Sequence, residues 1–340
     1  MAKENSKKLT KQYIRVLAFL LVFALLISGL SASVFSGKVI SQFNRKRADS
    51  YAYLSDPENT TDIVCLGSSD MWSGFVPLTL WENYGFTSVV SSFSHQSVAQ
   101  AQDMLQSITK VQSPKLVILE IDTLYDGRGP KEVIAPGSKT KLDDFFDTMD
   151  PTAFESKVTS KFSLFTFHNI WKDFQKRSDR SKCSHGYLYN DTVQKLKPRN
   201  YMVETEERDI PVVANSNELR RFVKYCNDND LQLMFLEMPT FSSWTYARHN
   251  AVQDLADELG VDFLDLNFKY DEMGLSIKNC FRDNGNHLNY TAACKATNYI
   301  GSYISGNYGI ESRRNQPEVA EYWDNDVAKF NKIKDKKKAC

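Results

Sequence analysis

The 340-residue chain has no surplus of charge of either sign, with 42 Lys and Arg set against 42 Asp and Glu. Lacking a basic excess, it has nothing to neutralise a nucleic-acid backbone or to hold an anionic membrane surface by charge alone, so no nucleic-acid partner is expected. Cysteine is sparse. Cys65, Cys183, Cys226, Cys280, Cys294 and Cys340 include no CxxC pair. They are too few to staple a chain of this size, which excludes a disulfide scaffold and argues against a zinc or thioredoxin-type site. No internal repeat or low-complexity tract is present, and 42% apolar with 25% charged residues is the composition of a folded chain.

Charge is also missing locally. From Val16 to Gly37 no charged residue occurs across 22 positions, and Val16 to Leu30 is almost wholly aliphatic or aromatic. About 20 such residues cross a hydrocarbon core, so residues 16–37 are expected to form a transmembrane helix. Lys3, Lys7, Lys8, Lys11 and Arg15 ahead of it fit a cytoplasmic end, although Lys38, Arg45, Lys46 and Arg47 behind it nearly balance the count. A secretory signal has a similar pattern, and Ser31-Ala32-Ser33 offers small residues to a peptidase. The apolar run nonetheless exceeds the roughly 7 to 15 residues of a signal core, which favours an uncleaved anchor. The expected organisation is a cytoplasmic tail at 1–15, a signal anchor at 16–37, a juxtamembrane linker at 38–53, an extracytoplasmic domain at 54–310 and a solvated, charged tail at 311–340.

Beyond the linker, short apolar runs alternate with helical periodicity, the pattern of a parallel sheet. Strands are expected at Asp62–Leu66, Thr87–Ser91, Leu116–Ile121, Leu231–Met238 and Val261–Leu266, with helices at Ser97–Val111, Asn217–Asn227, Ala247–Leu259 and Tyr290–Ser305. Asn215 with Glu218 three positions on reads as a capping signal. Right-handed crossovers then give one doubly wound five-stranded parallel sheet with helices on both faces. From 125 to 214 the chain is rich in Phe, Lys, Asp and Ser and offers no good strand. This stretch reads either as an insertion over the carboxyl edge of the sheet, where it forms a lid or substrate wall, or as a helical satellite packing its own aromatics.

Gly67-Ser68-Ser69 follows the first strand, where a serine emerges at the carboxyl edge and glycine permits the tight path beside it. Asp283 and His287, in FRDNGNHLN, follow the last strand at the same edge. A serine hydroxyl needs an imidazole to take its proton, and that imidazole needs a carboxylate to fix its tautomer. Ser69, His287 and Asp283 supply those three types, although a Gly-Ser-Ser turn or a loop Asp and His is commonly no more than a turn, cap or surface feature. Trp244, Arg248 and His249 follow the fourth strand and could contact a substrate or simply start a helix. Cys65 should be an inert core thiol. His168 and His185 show no spacing that suggests a metal, and no cofactor is expected.

IVCLGSSDMWSGFVPLTLWENYG resembles the first block of the membrane-anchored SGNH/GDSL-type proteins of Gram-positive bacteria, relatives of the D-alanine transfer protein DltD. Gly67, Ser68, Ser69, Pro77, Leu80, Trp81, Glu82, Tyr84 and Gly85 carry the match, and RDNGNHLNYTAACKATNYIG is similar to the closing block. The resemblance covers roughly Asp62 to Gly309, weakly over the insertion. It implies a three-layer, flavodoxin-like SGNH sandwich with Ser69 as nucleophile, His287 as general base and Asp283 as orienting carboxylate. An oxyanion requires donors in place before its charge develops. The Ser69 N–H is one candidate; where the family has a Gly this chain has Ser92, and Gln96 offers an amide. Asp283 and His287 are four apart where many members have three. His95 is expected on a pocket wall or at the surface.

The implied function is that of an extracytoplasmic, membrane-anchored serine O-acyltransferase. It would carry acetyl or D-alanyl groups through an acyl-Ser69 intermediate to a cell-surface polysaccharide or teichoic acid, and a multi-span membrane-bound O-acyltransferase is an implied partner. Two alternatives stand beside it: an SGNH esterase or deacetylase, and a catalytically decayed scaffold for the membrane-bound acyltransferase.

Overall fold

In the computed structural model, residues 2–35, 49–125, 183–197 and 200–338 are described, together with Leu164. Five short runs of β-branched and aliphatic residues form the strands: β1 (Ile63–Leu66), β2 (Ser88–Val90), β3 (Leu116–Glu120), β4 (Gln232–Glu237) and β5 (Asp262–Asp265). All neighbours are parallel, in the order β2-β1-β3-β4-β5. From β1 the chain goes outward to β2 and then crosses back to β3 on the opposite side. Strand order therefore reverses between β1 and β3, and their carboxyl ends open the crevice where ligands bind in such sheets.

Side chains alternate across the sheet. Ile63, Cys65, Ile118, Met234 and Leu236 face a layer made by α2 (Ser69–Gly74), α3 (Pro77–Tyr84), α7 (Tyr290–Asn307) and α8 (Pro317–Lys338). Val64, Leu66, Val117, Leu119 and Phe235 face α4 (Val98–Ile108), α5 (Val213–Asp228) and α6 (Tyr246–Leu259). Full burial of each large apolar side chain contributes about 1.5–3 kcal/mol, so both faces are needed to hold the sheet. The first helix, α1 (Ala2–Ala32), packs into neither. It contains one segment, Lys11–Ala32, apolar enough to cross a membrane, with mean hydropathy 2.4 and no burial inside the molecule.

Two expectations change on the structure. Helix α5 begins at Val213, behind Val212, which makes no side-chain capping bond. Asn215 lies within the helix, its Nδ2 donating to the Leu124 carbonyl at 2.8 Å, so it ties the segment after β3 to the helix instead of capping it. Residues 317–338, expected as part of a solvated tail, form α8 and bury Trp323, which packs on Trp81 at 5.6 Å. Arg313 anchors this segment through two bonds to the buried carboxylate of Asp62, at 2.6 and 2.8 Å, just ahead of β1. The 125–214 insertion lies largely outside the described residues; its end, 183–197, runs beside β2 and the 278–290 loop. There Val90 N–H donates to His185 C=O at 2.9 Å, and Gln194 N–H to Phe281 C=O at 2.9 Å.

Candidate active site

Gly67 leaves β1 with φ +146°, and a Cβ at this position would stand 2.5 Å from the Glu120 Cβ, so only glycine fits the turn. Two buried side chains hold that turn. Gln96 Oε1 accepts the Gly67 N–H at 2.8 Å, and Glu120 Oε2, at the end of β3, accepts the Ser68 N–H at 2.6 Å. Ser68 caps α2 with its hydroxyl, leaving Ser69 as the first helical residue, half-buried and at the edge of the crevice. Its N–H makes no hydrogen bond among the described residues, as expected of a first-turn amide.

His287 reaches the same turn from the loop before α7. Its Nδ1 is hydrogen-bonded to Asp283 Oδ2 in a short contact. The other oxygen, Oδ1, accepts the backbone N–H groups of Gly285, Asn286 and His287 at 3.2, 2.9 and 3.1 Å. Burial pushes the Asp283 carboxyl up, but the bond to the His287 ring and the backbone donors outweigh it and hold the group well below the ordinary range. The four-residue spacing therefore fits: the extra residue closes a turn around the carboxylate. His287 Nε2 is buried without a hydrogen bond and stands 3.7 Å from Asp70 Oδ1, in the first turn of α2. The imidazole stacks on Trp72, with centroids 5.6 Å apart and planes at 19°. The structure thus joins Asp283 to His287 and brings the free ring nitrogen to the turn that carries Ser69. No direct hydrogen bond links Ser69 to His287.

Ser92 lies beyond β2, and extending the Cys65↔Val90 register by two residues sets it opposite Gly67. Neither its N–H nor its buried hydroxyl makes a hydrogen bond among the described residues. Gln96 is placed differently from a substrate-facing amide. It is wholly buried, with Oε1 on Gly67 and Nε2 on the Ser91 carbonyl at 3.1 Å, and it holds the turn. His95 is exposed, with a left-handed backbone. Trp244, Arg248 and His249 serve the scaffold: the Trp244 indole donates to Asp265 at 2.8 Å and His249 Nδ1 meets the same oxygen at 2.9 Å. Arg248 bridges Asp122 and Asp209. Burial pushes the Cys65 thiol well up, in keeping with an inert core residue.

Overall structural similarity is to proteins of low sequence identity. A GDSL-like lipase from Bacteroides thetaiotaomicron matches with TM-score 0.33 and 9% identity over 77% of this chain and 96% of its own. A protein from Lactobacillus plantarum gives TM-score 0.38 and 10% identity over 74% and 99%, and one described as a lipolytic protein of the G-D-S-L family, from Desulfitobacterium hafniense, gives 0.36 and 8% over 71% and 98%. No protein-family model and no curated protein matches the chain.

An acidic group beside the turn went unread in the sequence. Asp70, Glu120 and Asp122 each bring a carboxylate oxygen within 4.8 Å of the others, a set that could hold a metal ion. Glu120 already accepts the N–H groups of Ser68 and Asp122, and Asp122 accepts from Arg248 at 2.9 Å, so amides and a guanidinium balance much of this charge. Glu237, at the end of β4, is fully buried with neither oxygen hydrogen-bonded. Burial first, then the carboxylates of Asp122, Glu120, Asp265 and Asp70, push its carboxyl well above the ordinary range, so the fold favours its protonated form. The signal available in advance was a charged residue closing each of two buried strands, LVILE and QLMFLE.

Proposed function

We propose that this chain is a membrane-anchored serine O-acyltransferase acting outside the cytoplasm, taking acetyl or D-alanyl groups through an acyl-Ser69 intermediate to a hydroxyl of a cell-surface polysaccharide or teichoic acid. The observation that carries the proposal is the Asp283–His287 pair, whose unbonded Nε2 lies at the first turn of α2. In the reaction, Nε2 takes the proton of Ser69 Oγ as Oγ bonds to the acyl carbon, and Asp283 stabilises the imidazolium and fixes its tautomer. The N–H groups of Ser69 and Ser92, both without partners among the described residues, meet the developing oxyanion. Collapse expels the donor alcohol, which takes its proton from His287. In the second half, His287 accepts the acceptor hydroxyl's proton as that oxygen attacks the acyl carbon, and Ser69 is released. Water in place of the acceptor gives an esterase. A multi-span membrane-bound O-acyltransferase is the partner that would supply the acyl group across the membrane.

A second reading, a non-catalytic scaffold for that partner, is favoured by one observation. Three carboxylates gather beside the turn where acyl transfer requires donors. The test is labelling of the full-length protein, in nonionic detergent, with a fluorophosphonate, followed by peptide mass spectrometry of the parent, Ser69→Ala and His287→Ala. Modification at Ser69 that disappears in both variants supports the acyltransferase. A folded protein that ignores the reagent supports the scaffold.

A further inference from the structure

Arg282 sits against the Asp283–His287 pair, without a charge partner among the described residues. It lies across a β-bridge from His287, with its N–H donating to the His287 carbonyl at 3.0 Å, next to the Phe281↔Leu288 pair. Its guanidinium carbon stands 4.8 Å from the centroid of Trp72, whose ring stacks on His287. Guanidinium, indole and imidazole are thus in contact in a row, the indole between the other two. Among the described residues, Arg282 makes one side-chain hydrogen bond, from Nη1 to the Leu188 carbonyl at 3.3 Å, and no ion pair.

The arginines of the crevice and core are treated otherwise. Arg248 has Asp122 and Asp209, and Arg313 has Asp62. Burial lowers the Arg282 pKa, against opposing contributions from Tyr187, Asp283 and Asp70. A guanidinium has five N–H donors in a fixed fork. One is used on Leu188, and the contact with Trp72 holds the guanidinium beside the His287 ring. The fork is the geometry with which arginine takes phosphate or carboxylate oxygens in pairs. The nearby Asp283 does not compete, because its oxygens are filled by the His287 ring and three amides.

We infer that Arg282 is an anion-recognition residue, and that the substrate handled beside His287 carries a phosphate or carboxylate close to its reacting oxygen. The inference rests on the reading of this edge as an acyl-transfer site and adds the chemical class of what is bound there. It distinguishes anionic polymers, whose repeat bears a phosphodiester or an acidic sugar, from neutral glycans.

The test is calorimetric titration of the full-length protein, in nonionic detergent at low salt, with glycerol 1-phosphate and D-glucuronate, and with glycerol and D-glucose as neutral counterparts. Saturable binding of an anionic probe and none of its neutral counterpart is expected, and which of the two binds separates phosphate from acidic sugar. Arg282→Gln should raise the Kd about 10- to 100-fold, and Arg282→Lys, which keeps the charge but not the fork, should fall between. The inference is overturned if neither anion binds better than its neutral counterpart, or if a folded Arg282→Gln or Arg282→Lys protein binds as the parent does. Fluorophosphonate labelling of the same samples separates the two readings. A labelled Ser69 without anion binding removes this inference alone, whereas anion binding lost in Arg282→Gln, in a parent whose Ser69 ignores the reagent, keeps the anion site and removes the enzyme.

Discussion

Raising the pH should undo the docking of helix α8, and the magnitude follows from His185. Its imidazole is fully buried, with Nδ1 at 3.0 Å from Asp56 and Nε2 at 3.4 Å from Asp326, and it stacks on Trp323 at 3.9 Å with planes 6° apart. Tyr322 faces it edge-on, bonded through its hydroxyl to Asp56, and Lys329 pairs with Asp326 at 2.7 Å. Burial alone would lower the histidine's pKa, but the two carboxylates outweigh it and push it up from 6.5 to about 9, while holding Asp326 down. Each unit is about 1.4 kcal/mol, so the rise is worth on the order of 3 kcal/mol. The fold favours the charged form, so this contribution is whole below pH 6.5, shrinks between 6.5 and 9 and is lost above. His185→Gln removes it at every pH. Urea unfolding of parent and variant, followed by circular dichroism from pH 6 to 9.5, should show a stability gap that narrows by about 3 kcal/mol. A gap that stays level across that range would mean a neutral histidine, and the argument from the two carboxylates would be wrong.

The other expectations concern the crevice. Gly67→Ala forces a Cβ into Glu120 at a left-handed φ and should cost at least about 2 kcal/mol in urea unfolding, with loss of Ser69 labelling; a variant as stable as the parent would refute the close approach. Asp283→Asn should lower 4-nitrophenyl acetate hydrolysis by roughly 10²- to 10⁴-fold in kcat, and an unchanged rate would remove Asp283 from the mechanism. Glu237→Gln keeps the shape of the side chain without its titration. Because burial and the neighbouring carboxylates raise its pKa in the fold, the parent loses stability relative to this variant as pH rises above the usual carboxylate range, so the variant's melting temperature should gain on the parent's from pH 5 to 8. A constant offset would show that Glu237 is ionised in the fold.

The strands were readable because most are runs of buried residues bounded by a turn signal, as in IVCL before Gly67 and LVILE after Pro114. The Asp283–His287 pair was readable because it is local: one carboxylate accepts the amides of the next few residues, and a spacing of four accommodates that. What was not readable depends on distant segments meeting. Trp72, Arg282 and His287 are in contact only because the loop before α7 folds over α2. Gln96 sits near the right strand, but its amide turns inward, because Gly67 N–H and Ser91 C=O would otherwise be buried without partners. Helix α8 was hidden by its charge: Val319, Trp323 and Phe330 mark its buried face amid a run of Lys, Asp and Glu.

The residue that grips α8 also borders one margin of the sheet. Strand β2 is three buried residues long and lies at one margin of the sheet, a position whose amides, if uncovered, invite pairing with another chain. Here the Val90 N–H is taken by the His185 carbonyl, and Gly186 lies so close that a Cβ would come within 1.9 Å of the Val90 carbonyl oxygen. The turn at 183–186 is therefore a stopper on the sheet's margin, and the charge of one histidine keeps it seated. Alkaline conditions that release it would free a templating strand edge, which makes self-association the natural companion of unfolding for this protein.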